Sequence, residues 1–504
     1  MLLPDMPEAV ARIYRGLLTG EKMAVYGDFD VDGITATALL VKGISALGGQ
    51  IEPYIPHRLQ EGHGLNSYAL NELKEKGVSL IITADCGVTG VEQVAKIARS
   101  RVDVIISDHH LPGDELPAAT AVVNPHRSDS RYPFTELAGV GVAYKLLSAL
   151  YRSMGREAEV EQCLYLVALG TVADMVPLLS ENRFLVVQGL AGLRTCRQPG
   201  VTELALQAGV NLEKINSDNI SWALAPRLNA AGRLEDMRLG IECLLAPDLE
   251  TALPLAQRLH EINQSRKDIE SDMKEQALTL LEEVDCTGKH GLAIHHPEWH
   301  AGVIGILASR LKEKYHRPVI AFAPGGNGEL KGSGRSIPAL HLRDALDWID
   351  RQHPGLILKF GGHAMAAGLT IREEGFAEFQ QAFEALAQAW LTPADLDEVI
   401  ETDGKLAPGE LDFDVVKTLE NAVWGQGFPA PLFQGEFAVL NQRVVGEKHL
   451  KLDVSVQDAR YEAMAFFHNE PLPDRFVGVY APMLNEFNGR LSIQLKLQYW
   501  ESLQ

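Results

Sequence analysis

A doubly wound, mostly parallel α/β sheet is the fold class predicted for the first 125 residues, and three observations predict it. Short apolar runs at 23–26, 51–55, 80–83, 104–107 and 121–123 read as strands. Helical patterns such as 34–47 and 91–100 lie between them, and strands alternating with helices imply parallel pairing. Acidic and histidine motifs fall at the carboxyl ends of these strands, where such sheets place their ligands.

The elements that follow are distinct in character. Residues 136–245 are mainly helical. The segment 255–284 lacks Gly and Pro, and Leu255, Leu259, Ile262, Ile269, Met273 and Leu281 recur at helical spacing among charges. A helix of that length spans roughly 45 Å, enough to join two domains as a rod. A second α/β unit covers about 286–391, with strands at 290–295 and 318–323 flanking a helix at 302–316. From about residue 396 the pattern changes to alternation of apolar and polar residues, clearest at 450–456 and 491–499. Five or six such runs in about 110 residues predict a small antiparallel β-barrel of OB type. The expected domains are therefore 1–190, a catalytic α/β domain; 191–285, a helical region with the long connecting helix; 286–395, a second α/β domain; and 396–504, the barrel.

Composition agrees with several domains. At 504 residues the chain exceeds one compact core, and 46% apolar with 22% charged residues describes an ordinary globular protein. No run approaches the 18 apolar residues of a membrane span, and no basic region with an apolar run marks a secretion signal. The five cysteines are scattered without a CxxC pair, which fits a reducing cytoplasm and argues against a zinc cluster. A net charge of −21 is unusual for a protein that grips a phosphate backbone. Net charge bears on solubility and long-range steering, however, and carboxylates that bind cations contribute to it.

Four motifs carry chemistry. The first strand runs into Gly27-Asp28-Phe29-Asp30-Val31-Asp32-Gly33. Three aspartates at alternate positions cannot all enter a core, and they raise each other's pKa unless a cation joins them. The bland reading is a solvated turn that caps the next helix. Ile82-Thr83-Ala84-Asp85-Cys86-Gly87 places an aspartate directly after a buried strand. Ser107-Asp108-His109-His110 ends a third strand, and imidazole with several carboxylates suits Mn²⁺ or similar ions better than Ca²⁺. Gly170-Thr171-Val172-Ala173-Asp174 sets a lone aspartate in an apolar segment, where it caps a helix end, pairs with a cation, or ligates a metal.

Together these four motifs resemble those of the DHH phosphoesterase superfamily, and they identify a DHH domain. The resemblance implies two divalent ions, Mn²⁺ or Mg²⁺, with Asp30, Asp32, Asp85, His109 and Asp174 as principal ligands and Asp85 between the ions. It also puts Asp28 and His110 in the site. Pyrophosphatase-like members carry a histidine where Tyr26 stands here, so Asp28 is the expected replacement ligand and pyrophosphatase is disfavoured. His110 would stabilise or protonate phosphoryl oxygens, and Asp85 and His110 are the expected catalytic pair.

Lys331-Gly332-Ser333-Gly334-Arg335-Ser336 offers amides, hydroxyls and a guanidinium suited to a terminal phosphate. In Phe360-Gly361-Gly362-His363-Ala364-Met365-Ala366, glycines precede what reads as a small-residue helix. This pair of segments resembles a DHHA1 domain, in which the histidine and glycines contact substrate. Ile55-Pro56-His57-Arg58, the run Ala225-Pro226-Arg227-Leu228-Asn229-Ala230-Ala231-Gly232-Arg233, and His296-Pro297-Glu298-Trp299-His300 extend the resemblance to the RecJ family of nucleases. That family implies a 5′→3′ exonuclease that degrades single-stranded DNA to 5′-mononucleotides in recombination and repair. Arg58, Ser333 and Arg335 would line a 5′-phosphate pocket, Arg227 and Arg233 would meet backbone phosphates, and His363 would contact substrate. A helicase and a single-strand-binding protein are the implied partners, and a monomer is expected. Only about 22 residues precede the first strand, where RecJ proteins usually carry an N-terminal arm. Two rival readings are a phosphodiesterase for short oligonucleotides or cyclic dinucleotides, and a non-catalytic replication scaffold. The β domain of about 110 residues favours a long polymer, and the intact ligand set disfavours a scaffold.

Overall fold

Strands without a polar face end up covered on both sides. In the computed structural model, Lys22–Gly27 (β1), Gln50–Tyr54 (β2), Leu80–Ala84 (β3), Asp103–Ser107 (β4) and Ala121–Val123 (β5) form one sheet in the order β2-β1-β3-β4-β5. All its pairings are parallel, and β3 and β5 are buried at every position. The structure describes residues 2–56, 64–283, 288–457, 459–487 and 489–503, with backbone alone at 280, 282, 283 and 487. His57 and Arg58 therefore lie outside the described residues. Each strand of this sheet falls within one residue of its expected limits at either end.

Two differences concern helices. Met6–Thr19, a segment without an expected element, is an amphipathic helix before β1, and Asp5 ahead of it accepts the Val122 amide at 3.0 Å. The helix after β1 begins at Val31 rather than at 34, because Asp30 caps it by accepting the Gly33 N–H at 2.9 Å. Asp32 thereby joins its first turn.

The chain packs into two compact units. One holds Met1–Asn229, Met237–Gln257 and Glu401–Gln504; the other holds Ala230–Asp236 and Arg258–Ile400. Within the first, the parallel sheet is followed by helices that include Gly139–Ser153, Leu164–Asp174 and Ser180–Arg194. The long helix runs from Leu249 to Glu283, 35 residues, and starts earlier than the expected 255, running through Pro254. Burial of Ala252, Ala256, Leu259 and Ile262 offsets the lost hydrogen bond.

The second unit has a mixed sheet, in the order Leu292–His295 (β6), Val319–Gly326 (β7), Glu329–Arg335 (β8), Ala366–Arg372 (β10) and Ile357–Gly362 (β9). Only β6 and β7 pair in parallel. Both glycine-rich segments are thus strands, which corrects the small-residue helix expected after Gly362. Alternation in β10, with Ala367, Leu369 and Ile371 buried, overrides the helix propensity of its alanines.

In the first unit, Phe433–Val445 (β11), His449–Val456 (β12), Ala459–Ala465 (β13), Arg475–Phe487 (β14) and Arg490–Ser502 (β15) close into a five-stranded barrel in the order β11-β12-β13-β15-β14. Phe437 and Phe476 stack in its core at 4.9 Å, with Tyr480 edge-on. Among the barrel aromatics, Phe476 and Tyr480 are core, Tyr461 is half-buried and Phe466 is exposed. Among the described residues, no helix is long and apolar enough to cross a membrane.

Candidate metal centre and substrate site

The parallel ladder continues one residue beyond each of three strands. The Asp28 N–H donates to Ala84 O at 3.2 Å, the Asp85 N–H to Ser107 O at 3.0 Å, and the Asp108 N–H to Val123 O at 3.2 Å. Asp28, Asp85 and Asp108 therefore stand in line at the carboxyl edge of the sheet. This register gathers motifs that lie far apart in the chain.

Seven expected residues meet there. Candidate ligand atoms of Asp28, Asp30 and Asp85 lie within 4.8 Å of one another, as do those of Asp32, His109 and Asp174, and those of Asp85, His109 and His110. Nε2 of His109 is 3.1 Å from Asp85 Oδ1 and 3.8 Å from Asp174 Oδ2. Asp174 ends the helix Leu164–Asp174, so the lone aspartate of the fourth motif reaches the cluster from a helix terminus.

Residues outside the expected site hold this geometry. Asp32 accepts the N–H groups of Gly139 and Val140 at 2.6 and 2.9 Å, at the start of the helix Gly139–Ser153. A Cβ on Gly139 would sit 2.4 Å from Asp85 Oδ1, so the close approach requires glycine. Asp108 is buried and accepts from the N–H groups of His109, His110 and Val88 and from Nδ1 of His110. Asn124 donates to His110 O at 2.8 Å. The available signal was positional: Asp108, like Asp28 and Asp85, directly follows a strand end. Tyr26 is fully buried, and its hydroxyl accepts from Asn66 Nδ2 and donates to Gly64 O. It braces the chain there and takes no ligand position.

The electrostatics call for cations. Burial, reinforced by neighbouring carboxylates, pushes Asp30, Asp32 and Asp85 above the ordinary range. Asp85 Oδ1 and Asp174 Oδ2 are buried without a hydrogen-bond partner. Orphaned acceptors beside imidazole nitrogens fit divalent ions that take oxygen and nitrogen ligands. Mn²⁺ should therefore raise the melting temperature of metal-free protein. At a hundredfold excess over its dissociation constant each ion contributes about 2.7 kcal/mol. A scanning-calorimetry trace that Mn²⁺ leaves unmoved would remove the site.

The expected substrate residues separate into groups. Arg227 is buried and donates to Ala223 O at 2.6 Å and Gln207 O at 3.4 Å. That geometry anchors a helix and gives no support to the expected phosphate contact. Within the second unit, a Cβ on Gly305, in the first turn of the helix Ile304–Tyr315, would lie 2.9 Å from Ser333 Oγ and 3.2 Å from Arg335 Nη2. Arg335 donates to Gly334 O at 2.8 Å, and Arg233 donates to Gly302 O at 3.3 Å, just before that helix. His363 is exposed in the turn joining β9 to β10, and Ala366 pairs with Arg335. Ser333, Arg335 and a helix start thus form an anion-suited cluster.

Comparison with known proteins extends this. Residues 22–171 match the DHH family, N-terminal domain; 288–389 match the DHHA1 domain; and 402–499 match the RecJ OB domain. The chain is 45% identical to the single-stranded-DNA-specific exonuclease RecJ of Escherichia coli, over 98% of this chain and 89% of that protein. It is 44% identical to the protein of the same name from Dickeya dadantii, over 99% and 90% respectively. The crystal structure of RecJ in complex with Mn²⁺ from Thermus thermophilus superposes with a TM-score of 0.85 at 30% identity, covering 100% of this chain and 72% of that one. A Mg²⁺ complex from the same organism is similar, with a TM-score of 0.80.

Proposed function

This chain belongs to the RecJ family of single-stranded-DNA-specific exonucleases, and from that membership we propose that it removes 5′-mononucleotides from single-stranded DNA in the 5′→3′ direction. It is a metal-dependent hydrolase of the DHH group. The observation that carries the reading is the in-register meeting of three strand ends on a cluster with orphaned carboxylate oxygens. Asp28, Asp30, Asp32, Asp85, His109 and Asp174 are the residues that would hold two ions. Bound there, the ions would supply an activated water and neutralise charge on the phosphodiester.

The chain's own residues do the rest. Nδ1 of His110 is committed to Asp108 at 2.8 Å, which leaves Nε2 to present a proton to a phosphoryl oxygen. The Ser333–Arg335 cluster would receive the terminal phosphate and so choose the 5′ end, with His363 and Arg233 beside it. In Arg335→Gln, the advantage of a 5′-phosphorylated over a 5′-hydroxyl strand should shrink ~10-fold or more, since a charge-assisted hydrogen bond contributes about 1.5–3 kcal/mol. Equal preference in variant and parent would detach the cluster from the strand end. The reading places the enzyme in the cytoplasm, where Cys86, Cys163, Cys196 and Cys243 stay free thiols, with helicase and single-strand-binding proteins as partners.

An end-labelled digest with Mn²⁺ tests the whole. The 5′ label should appear first as a mononucleotide, with duplex left intact. Early release of the 3′ label would reverse the polarity. Equal rates on dinucleotides and long strands would favour a short substrate.

A further inference from the structure

Residues 424–428, Trp424-Gly425-Gln426-Gly427-Phe428, make a tight turn ahead of β11, closed by two backbone hydrogen bonds between Gly425 and Phe428. The turn belongs to the C-terminal part of the chain, yet it lies against the segment that follows Asp174. Leu178 N–H donates to Gln426 O at 2.7 Å. A Cβ on Gly425 would fall 2.6 Å from Leu178 Cδ1, and one on Gly427, at φ +68°, would fall 3.1 Å from Pro177 Cβ. The rings of Trp424 and Phe428 stack at 5.3 Å with 8° between their planes. The Arg183 guanidinium sits 4.0 Å from the Phe428 ring centre and 5.7 Å from that of Trp424. Ser217 Oγ donates to Trp424 O at 2.8 Å and fixes the turn from another side.

Asp174 depends on such support. It is the last residue of its helix, and Met175 leaves in the left-handed conformation at φ +63°. No helical turn follows to brace the carboxylate, whose Oδ2 is buried without a hydrogen-bond partner. The described contacts of the following segment run from Pro177 and Leu178 to the turn, with Asn182 Nδ2 on Pro177 O at 3.1 Å.

We propose that the turn 424–428 positions Asp174 for cation binding, so that the C-terminal domain completes the metal centre as well as serving the strand. The inference rests on Asp174 being a ligand, as assigned above. Arg183→Met removes the cation over the two rings and keeps the aliphatic stem, whereas Arg183→Lys keeps a cation. Gly425→Val drives a side chain into Leu178.

The test uses metal-free, full-length protein titrated with Mn²⁺ by calorimetry, together with hydrolysis of a short 5′-phosphorylated oligonucleotide and of a long strand. In Arg183→Met and Gly425→Val one Mn²⁺ dissociation constant should rise ~10-fold, the usual scale for losing a group that orients a metal ligand. The Mn²⁺ concentration for half-maximal hydrolysis should rise in step, with kcat recovered at saturating Mn²⁺ and KM for the long strand unchanged. Arg183→Lys should lie between parent and Arg183→Met. Unaltered Mn²⁺ affinity in a folded Arg183→Met protein overturns the inference, as does a raised strand KM without any metal defect. Should Gly425→Val not fold, Arg183→Met decides alone. If Asp174→Asn keeps both Mn²⁺ constants, the ligand assignment itself fails, and the inference with it.

Discussion

Asp85→Asn should cut Mn²⁺-dependent hydrolysis of single-stranded DNA by ~10³-fold or more, because metal-assisted charge stabilisation amounts to several kcal/mol and each 1.36 kcal/mol is a decade in rate. Asp85 is shared by two of the three triads, within 4.8 Å of ligand atoms from Asp28, Asp30, His109 and His110. Asparagine is a better probe than alanine here. Asp85 adopts φ +65°, a conformation that Asp and Asn tolerate and that costs other side chains roughly 1–2 kcal/mol. Alanine would mix backbone strain with loss of the ligand. The Asn variant should fold, bind a long strand about as tightly as the parent, and lose affinity for at least one Mn²⁺. Retention of more than a few per cent of the parent kcat at saturating Mn²⁺ would remove Asp85 from the centre.

Much of this centre was legible because parallel sheets place function at strand ends. The apolar runs located β1, β3 and β4 to within a residue, and each run ended in an acid. What strand periodicity alone does not show is which of these carboxylates is spent on orienting its neighbours. Asp85 and Asp108 follow their strands identically, yet Asp85 keeps an orphaned oxygen while Asp108 spends both oxygens on hydrogen bonds. Only side-chain direction separates them. Gly139 and the turn 424–428 were equally hidden, because their importance is the space they leave for a residue distant in the chain. Glycines also misled in the second unit, where β10 is a strand whose pattern of burial outweighs small-residue composition. Arg227 shows a second role that a motif leaves unseen. An arginine in a motif suggests a phosphate, and here carbonyl oxygens of neighbouring helices also take some of its five N–H donors.

Asp108→Asn should lower kcat ~10²-fold or more while leaving Mn²⁺ affinity nearly unchanged, since a positioned proton donor contributes ~10²–10⁴-fold. The carboxylate receives the His109 and His110 N–H groups and His110 Nδ1 on one oxygen, and the Val88 N–H on the other. An asparagine amide must turn its NH₂ toward one of these donors, which leaves a buried group unsatisfied at a cost of about 1–3 kcal/mol. The pH profile separates loss of orientation from general damage. Burial alone lowers the His110 pKa, but the hydrogen bond and charge of Asp108, with Asp85, raise it to about 9. Burial alone would raise Asp108, and the same pairing holds it below the ordinary carboxylate value of 3.8. For a raised histidine the stabilisation is complete below the ordinary 6.5 and is lost as pH climbs through about 9. For a depressed carboxylate it is complete above 3.8 and is lost as pH falls through the lowered value. The pair therefore contributes across the range between those limits, and the variant forfeits that contribution. In Asp108→Asn the alkaline limb of kcat should move toward 6.5, because the imidazolium has lost its anion. Bound cations oppose protonation in parent and variant alike, so the acidward displacement between the two proteins persists in the metal-bound enzyme. A variant with parental kcat, or with an unmoved alkaline limb, would show that His110 needs no partner to hold its proton.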